Sequence, residues 1–137
     1  MHNVVFDTNV FVSALITPRG KSASLFLHAD KYLLVISRDV VKELIGVLTY
    51  PHLAGKYAVT PAMVQDMLLK LKEHGTFITP KETLSLVSDA MDNHLLALAK
   101  EGHADYLVTG DRELLGLKRI GTADIIAPAT FANVLER

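Results

Sequence analysis

The chain predicts an α/β fold in which a central parallel sheet is flanked by helices, on three observations. Short apolar runs rich in β-branched residues alternate with longer segments of helical periodicity, the pattern of strand–helix units. Each apolar run is too short to be a buried helix. Several of the longer segments are bracketed by residues that start and stop helices.

In chain order, the predicted strands are Asn3–Phe6, Leu33–Ile36, a weaker Thr76–Ile78, Tyr106–Thr109 and Asp124–Ile126. Between them, Ser22–Lys31 reads as a helix after the Pro18-Arg19-Gly20 turn. Arg38–Thr49 reads as another, capped by Ser37 or Asp39 and stopped by Pro51. Its apolar stripe is Val40, Val41, Leu44, Ile45 and Leu48, with Glu43 just off the edge. Thr60-Pro61 places a cap and an N1 proline before a helix that runs to His74 and stops at Gly75. Asp89–Glu101, ending at Gly102, and Pro128–Leu135 complete the set.

Length and composition set the bounds. With 137 residues, 50% hydrophobic and 21% charged, the expectation is a single domain over residues 1–137. Lys and Arg number 14 against 15 Asp and Glu, so the balance announces neither a nucleic-acid nor a membrane partner. The absence of cysteine excludes a disulfide framework, a thiolate metal site and a cysteine nucleophile. Neither an export signal nor a membrane-spanning run is recognisable, so the expected compartment is the cytoplasm.

Ligand sites of open parallel sheets lie beyond the carboxyl ends of the strands. Two predicted strands end in aspartate with a hydroxyl neighbour, Phe6-Asp7-Thr8-Asn9 and Val108-Thr109-Gly110-Asp111. Each aspartate alone also reads as a cap for the segment that follows. Glu43, beside Val40 and Val47, need not face open solvent, and Asp92 lies at helical spacing from Leu95, Leu96 and Ala99. Asp89 and Asp92 also read as the cap and third position of a helix start, with Asp89 the better cap.

If Asp7, Glu43, Asp92 and Asp111 converge, the cluster needs compensation. Two carboxylates about 4 Å apart repel by roughly 4 kcal/mol at an effective dielectric of about 20. A whole domain is stable by only about 5 to 15 kcal/mol. Such a cluster calls for protons or cations, and an all-oxygen donor set favours Mg²⁺ or Mn²⁺ over Zn²⁺. That is the equipment of metal-assisted phosphodiester hydrolysis.

Together, Val5-Phe6-Asp7-Thr8-Asn9-Val10, Lys42-Glu43-Leu44, Asp92-Asn93-His94-Leu95-Leu96-Ala97-Leu98-Ala99 and Leu107-Val108-Thr109-Gly110-Asp111 resemble the PIN domain. Within that family the chain looks like the prokaryotic VapC-like ribonucleases, toxins of toxin–antitoxin systems. The likeness extends to the closing Pro128-Ala129-Thr130-Phe131. It implies a three-layer fold and a Mg²⁺- or Mn²⁺-dependent site that cuts RNA, with Asp7, Glu43, Asp92 and Asp111 as metal ligands and catalytic acids. Asn9 and Thr109 would support the ligands by hydrogen bonds. The resemblance further implies a homodimer and an antitoxin partner. Arg19, Lys21, Arg38 and Arg112 are candidate phosphate contacts. One departure is visible: where the related pattern often has proline and a further acid before the third aspartate, this chain has Ala90 and Met91.

Other chemistries fit less well. A phosphoaspartate phosphatase wants a second aspartate two residues after the first, and Asn9 stands there. The eight glycines never fall at phosphate-loop or dinucleotide spacing, and the six histidines form no metalloprotease pattern. The rival from another class is a PIN domain that binds RNA or a protein without cutting. With the four candidate ligands set apart, the 14 basic residues exceed the remaining acids, so the near-neutral total is compatible with an RNA partner.

Overall fold

The apolar runs pair as a mostly parallel sheet. The computed structural model describes residues 1–137, the side chain of Ala54 excepted. The strands are β1 (His2–Phe6), β2 (Tyr32–Ile36), β3 (Gly75–Phe77), β4 (Tyr106–Val108), β5 (Arg119–Ile120) and β6 (Ala123–Ile126), in the order β3-β2-β1-β4-β6-β5. All neighbours are parallel except β5 and β6. There the short Gly121-Thr122 link, with Gly121 at φ +58°, reverses the chain and forces an antiparallel edge that the sequence pattern did not announce.

The helices are α1 (Thr8–Ile16), α2 (Lys21–Leu27), α3 (Arg38–Leu48), α4 (Pro51–Tyr57), α5 (Pro61–His74), α6 (Ala90–Glu101), α7 (Arg112–Leu117) and α8 (Pro128–Leu135). Ser37 caps α3 by accepting the Val40 N–H, and Thr60 caps α5 by accepting that of Met63, as their positions predict. Gly75 stops α5 for a steric reason as well, since a Cβ there would lie 2.6 Å from the Leu71 carbonyl oxygen. Asp7 caps the segment that follows it, as one reading of its position predicts, and that segment is helix α1, which buries Val10, Phe11 and Val12. Three expectations are corrected. Pro51 opens α4 as its first residue instead of merely ending α3. The Ser22–Lys31 segment breaks at His28 into α2 and a 3₁₀ turn, Ala29–Lys31. Ile45 of the expected α3 stripe is 39% exposed, because the stripe that meets the core narrows to Val40, Leu44 and Leu48.

Strand β1 lies near the middle of the sheet and buries Val4, Val5 and Phe6 almost completely. The Phe6 ring packs edge-on against Phe11, Phe26, Tyr32 and Phe131, tying β1 to α1, α2, β2 and α8. Leu95, Leu96, Leu98 and Ala99 of α6 are fully buried, and α6 packs on β1, β2 and β4. Going from β1 to β2 to β3 the chain moves one way along the sheet; from β4 to β6 it moves the other. Right-handed crossovers place the two sets of connecting helices on opposite faces, giving three layers. The reversal falls between β1 and β4, so the crevice of the fold opens at their carboxyl ends.

Candidate active site at the β1–β4 switch point

The two strand-end aspartates stand on either side of that crevice, and one threonine joins them. Asp7 follows β1 and continues the ladder through its N–H to the Val108 carbonyl, at 2.9 Å. Its Oδ1 accepts the Asn9 N–H at 3.1 Å and so caps α1. Its Oδ2 accepts the Thr109 hydroxyl at 2.7 Å, and the same hydroxyl oxygen accepts the Asp111 N–H at 3.0 Å. Asp111 in turn caps α7 through Oδ2, which accepts the Leu114 N–H. Capping and clustering are therefore compatible: the same carboxylates that start α1 and α7 are held at one edge. Asp7 is 4% exposed and Thr109 fully buried, so these hydrogen bonds lie away from bulk water.

The helix acids come to the same place. Glu43, half-buried on α3, accepts the Thr8 hydroxyl at 3.4 Å. Burial pushes its carboxyl above the ordinary range; the Thr8 hydrogen bond opposes this, and the charges of Asp7 and Asp89 add to the rise. Burial likewise pushes Asp92 up to about 6, with further upward contributions from Asp89, Asp7, Asp111 and Glu43. Asp92 thus feels all three other predicted acids. A fifth, Asp89, caps α6 by accepting the N–H groups of Met91 and Asp92 through Oδ1 while adding its charge to the cluster. The capping signal in the sequence found Asp89, but only as a cap.

The other predicted site residues are spread more widely. Thr109 supports Asp7 directly. Asn9 is exposed and engages Asp7 only through its backbone N–H. Arg19 lies exposed in the α1–α2 turn, Lys21 begins α2, Arg38 begins α3 and Arg112 begins α7. None of these four is among the groups acting on Glu43 or Asp92. Lys42, the sequence neighbour of Glu43, is not among those groups either, but it shares a cleft with Glu43. Lys42, Glu43, Asp39, Met91, Asn93 and His94 line part of an open cleft of about 800 Å³. Asn93 holds the wall of this cleft: its Oδ1 accepts the N–H groups of Leu86 and Val87, and its Nδ2 donates to the Val87 carbonyl.

At the cleft's edge, Ser37 Oγ and His94 Nε2 are 2.7 Å apart. Ser37 Oγ also accepts the Val40 N–H, so one hydroxyl serves both the α3 cap and the contact with the imidazole. The contact joins the start of α3 to α6, the helices that carry Glu43 and Asp92.

The donor set fits a hard divalent cation in kind, being carboxylate oxygen with hydroxyl support and no sulfur. Among the described residues, however, no group of three or more Asp, Glu or His side chains is placed so that it could hold a metal ion. Also among the described residues, no helix is long and apolar enough to cross a membrane.

Comparison with known proteins agrees with this architecture. The chain is 30% identical over 117 residues to an uncharacterized protein of Methanocaldococcus jannaschii, covering 84% of this chain and 74% of that one. Its fold is similar to the crystal structure of VapBC2 from Rickettsia felis bound to a DNA fragment from their promoter. The TM-score is 0.58 at 19% identity, with 91% of this chain and 98% of the other covered. A family model for the PIN domain matches residues 3–113, a span that contains Asp7, Glu43, Asp92 and Asp111, and the chain belongs to the PIN domain family.

Proposed function

We propose that this PIN domain is an endoribonuclease that hydrolyses RNA phosphodiester bonds with Mg²⁺ or Mn²⁺, and that it is the toxin of a toxin–antitoxin pair. The observation that carries the reading is the gathering of Asp7, Glu43, Asp92 and Asp111 at the β1–β4 switch point, with Thr109 bridging Asp7 and Asp111. Asp7, Asp92 and Asp111 are the residues to hold the cation, with Glu43 completing the set from α3. A bound cation of this kind lowers the pKa of its water and offsets charge on phosphoryl oxygens.

The protein's own contribution is positioning. Thr109 fixes the orientation of the Asp7 carboxylate, and Thr8 restrains Glu43. No side chain is required as nucleophile. Lys42 lines the cleft with Glu43 and supplies positive charge for a strand backbone, while Arg19, Lys21, Arg38 and Arg112 are assigned to phosphates farther along. The toxin assignment draws on the sequence resemblance to VapC-like ribonucleases and on the likeness of fold to VapBC2. It brings with it an antitoxin partner, a homodimer and a cytoplasmic setting.

A second reading has its own observation. Among the described residues no group of three or more acids or histidines is placed to hold a cation, and Asp7 and Asp111 use carboxylate oxygens as helix caps. A domain that binds RNA or a protein without cutting is consistent with that. Mn²⁺-dependent cleavage of a panel of structured RNAs separates the two. Activity that disappears in Asp7→Asn and Asp111→Asn supports the nuclease; activity that survives both belongs to a contaminant and removes the assignment.

A further inference from the structure

We infer that the small pocket where α1, α2 and α8 meet is a phosphate-binding subsite, one strand along the sheet edge from the acid cluster. The pocket, about 330 Å³, is lined by Ser13, Thr17, Lys21, Ser22 and the start of α8 at Ala127–Ala129. Ala127 directly follows β6, and β6 is the neighbour of β4.

Ser22 points most directly to a ligand. The residue is only 9% exposed, yet its hydroxyl makes no hydrogen bond among the described residues. No side-chain polar atom among them is both sealed from solvent and unpartnered, so the Ser22 oxygen opens onto the pocket it lines. The Ser22 hydroxyl therefore offers its donor and acceptor capacity to whatever occupies the pocket.

The start of α8 is an independent second observation. Its cap position is Ala127, which has no side-chain oxygen to offer, and Pro128 follows at N1. The N–H groups of the first turn that follow Pro128 therefore lack the usual capping partner, and the helix dipole favours an anion there. Lys21 supplies the charge. It is the only ionic residue among those lining the pocket, where no Asp or Glu occurs, and it makes no ion pair among the described residues. The hydroxyls of Ser13 and Thr17 add two further donors.

Residues carrying three kinds of donor, ammonium, hydroxyl and backbone N–H, thus line one space where three helices meet. That distribution matches the several acceptor oxygens of a tetrahedral phosphate better than a planar carboxylate. The anion site stands on this geometry alone. Its assignment to a phosphate of the RNA strand rests on the ribonuclease reading.

Titration of inorganic phosphate into the full chain without divalent cations, followed by amide NMR, tests the site. Lys21, Ser22, Ala129 and Thr130 amides are expected to shift together. Lys21→Gln and Ser22→Ala should each weaken binding about tenfold, the loss expected for one charge-assisted hydrogen bond, while Lys70→Gln, on the exposed face of α5, leaves it unchanged. If these amides do not respond, or both variants bind as the parent does, the site is overturned.

Short 2′-O-methyl RNA strands with and without a 5′-phosphate then locate the phosphate. Lys21→Gln weakening both equally supports an internal phosphodiester; weakening only the phosphorylated strand supports a strand end. Unchanged strand binding alongside lost phosphate binding overturns the substrate role. Failure of the ribonuclease reading is distinguishable, because it abolishes metal-dependent cleavage as a property of the parent and leaves phosphate binding intact.

Discussion

The Thr109 hydroxyl donates to Asp7 Oδ2 at 2.7 Å across 102 positions of sequence, and its oxygen accepts the Asp111 N–H. One buried oxygen atom therefore sets the relation between the acids that end β1 and follow β4. Thr109→Val keeps the shape and removes both roles. Loss of a hydrogen bond to a charged group costs about 1.5 to 3 kcal/mol, which urea unfolding reads directly. On the nuclease reading, the Mn²⁺ concentration for half-maximal cleavage should rise about 10- to 100-fold, and Thr109→Ser should restore it. Parent-like stability and Mn²⁺ response in Thr109→Val defeat this account.

Asp111 separates capping from charge. Asn at position 111 retains an oxygen able to accept the Leu114 N–H, whereas Ala does not. Asp111→Ala should lose about 1 kcal/mol of stability and Asp111→Asn only a few tenths. On the nuclease reading Mn²⁺ should raise the melting temperature of the parent, and both variants should lose that shift. A full Mn²⁺ shift in Asp111→Asn removes this residue from the cation site.

The raised carboxyl of Asp92 makes metal-free stability depend on pH. Its ordinary value is 3.8 and burial with neighbouring acids pushes it up to about 6, so the folded chain holds a proton that the unfolded chain releases. Between those two values the native state binds more protons, and stability must fall as pH rises. Glu43 acts in the same direction. Urea unfolding across this interval should show the decline, and Asp92→Asn should flatten much of it. Saturating Mn²⁺ should oppose the loss, because a cation favours the charged forms. Metal-free stability that climbs with pH through the window, unaffected by Asp92→Asn, contradicts the cluster.

Ser37 and His94 offer a test of how α3 is held against α6. Ser37→Ala removes the α3 cap and the imidazole partner together; His94→Leu removes only the second. The cap is worth about 1 kcal/mol, so Ser37→Ala should be the more destabilised on the contribution of the cap. Hydrogen exchange should accelerate at the start of α3 in Ser37→Ala. Equal exchange there in the parent and both variants means the contact does not restrain α3.

The sequence by itself determined the strand runs, most helix limits and the PIN resemblance, and it nominated the four acids, because these depend on local periodicity, capping chemistry and motif order. Thr60-Pro61 and Pro128 marked their helices for that reason. Helix α1 was less legible: Thr8–Ile16 is apolar nearly throughout, and such a run carries little periodicity to read. The antiparallel β5 was hidden by being only two residues long. Tertiary structure alone decided that the strand order reverses between β1 and β4, and with it where Asp7 and Asp111 meet. It also gave Asp89 a second role, while distributing Arg19, Lys21, Arg38 and Arg112 elsewhere. The reason is physical: a helix cap needs only the next few residues, whereas a carboxylate cluster depends on which strands are neighbours, and that is set by packing over the whole sheet.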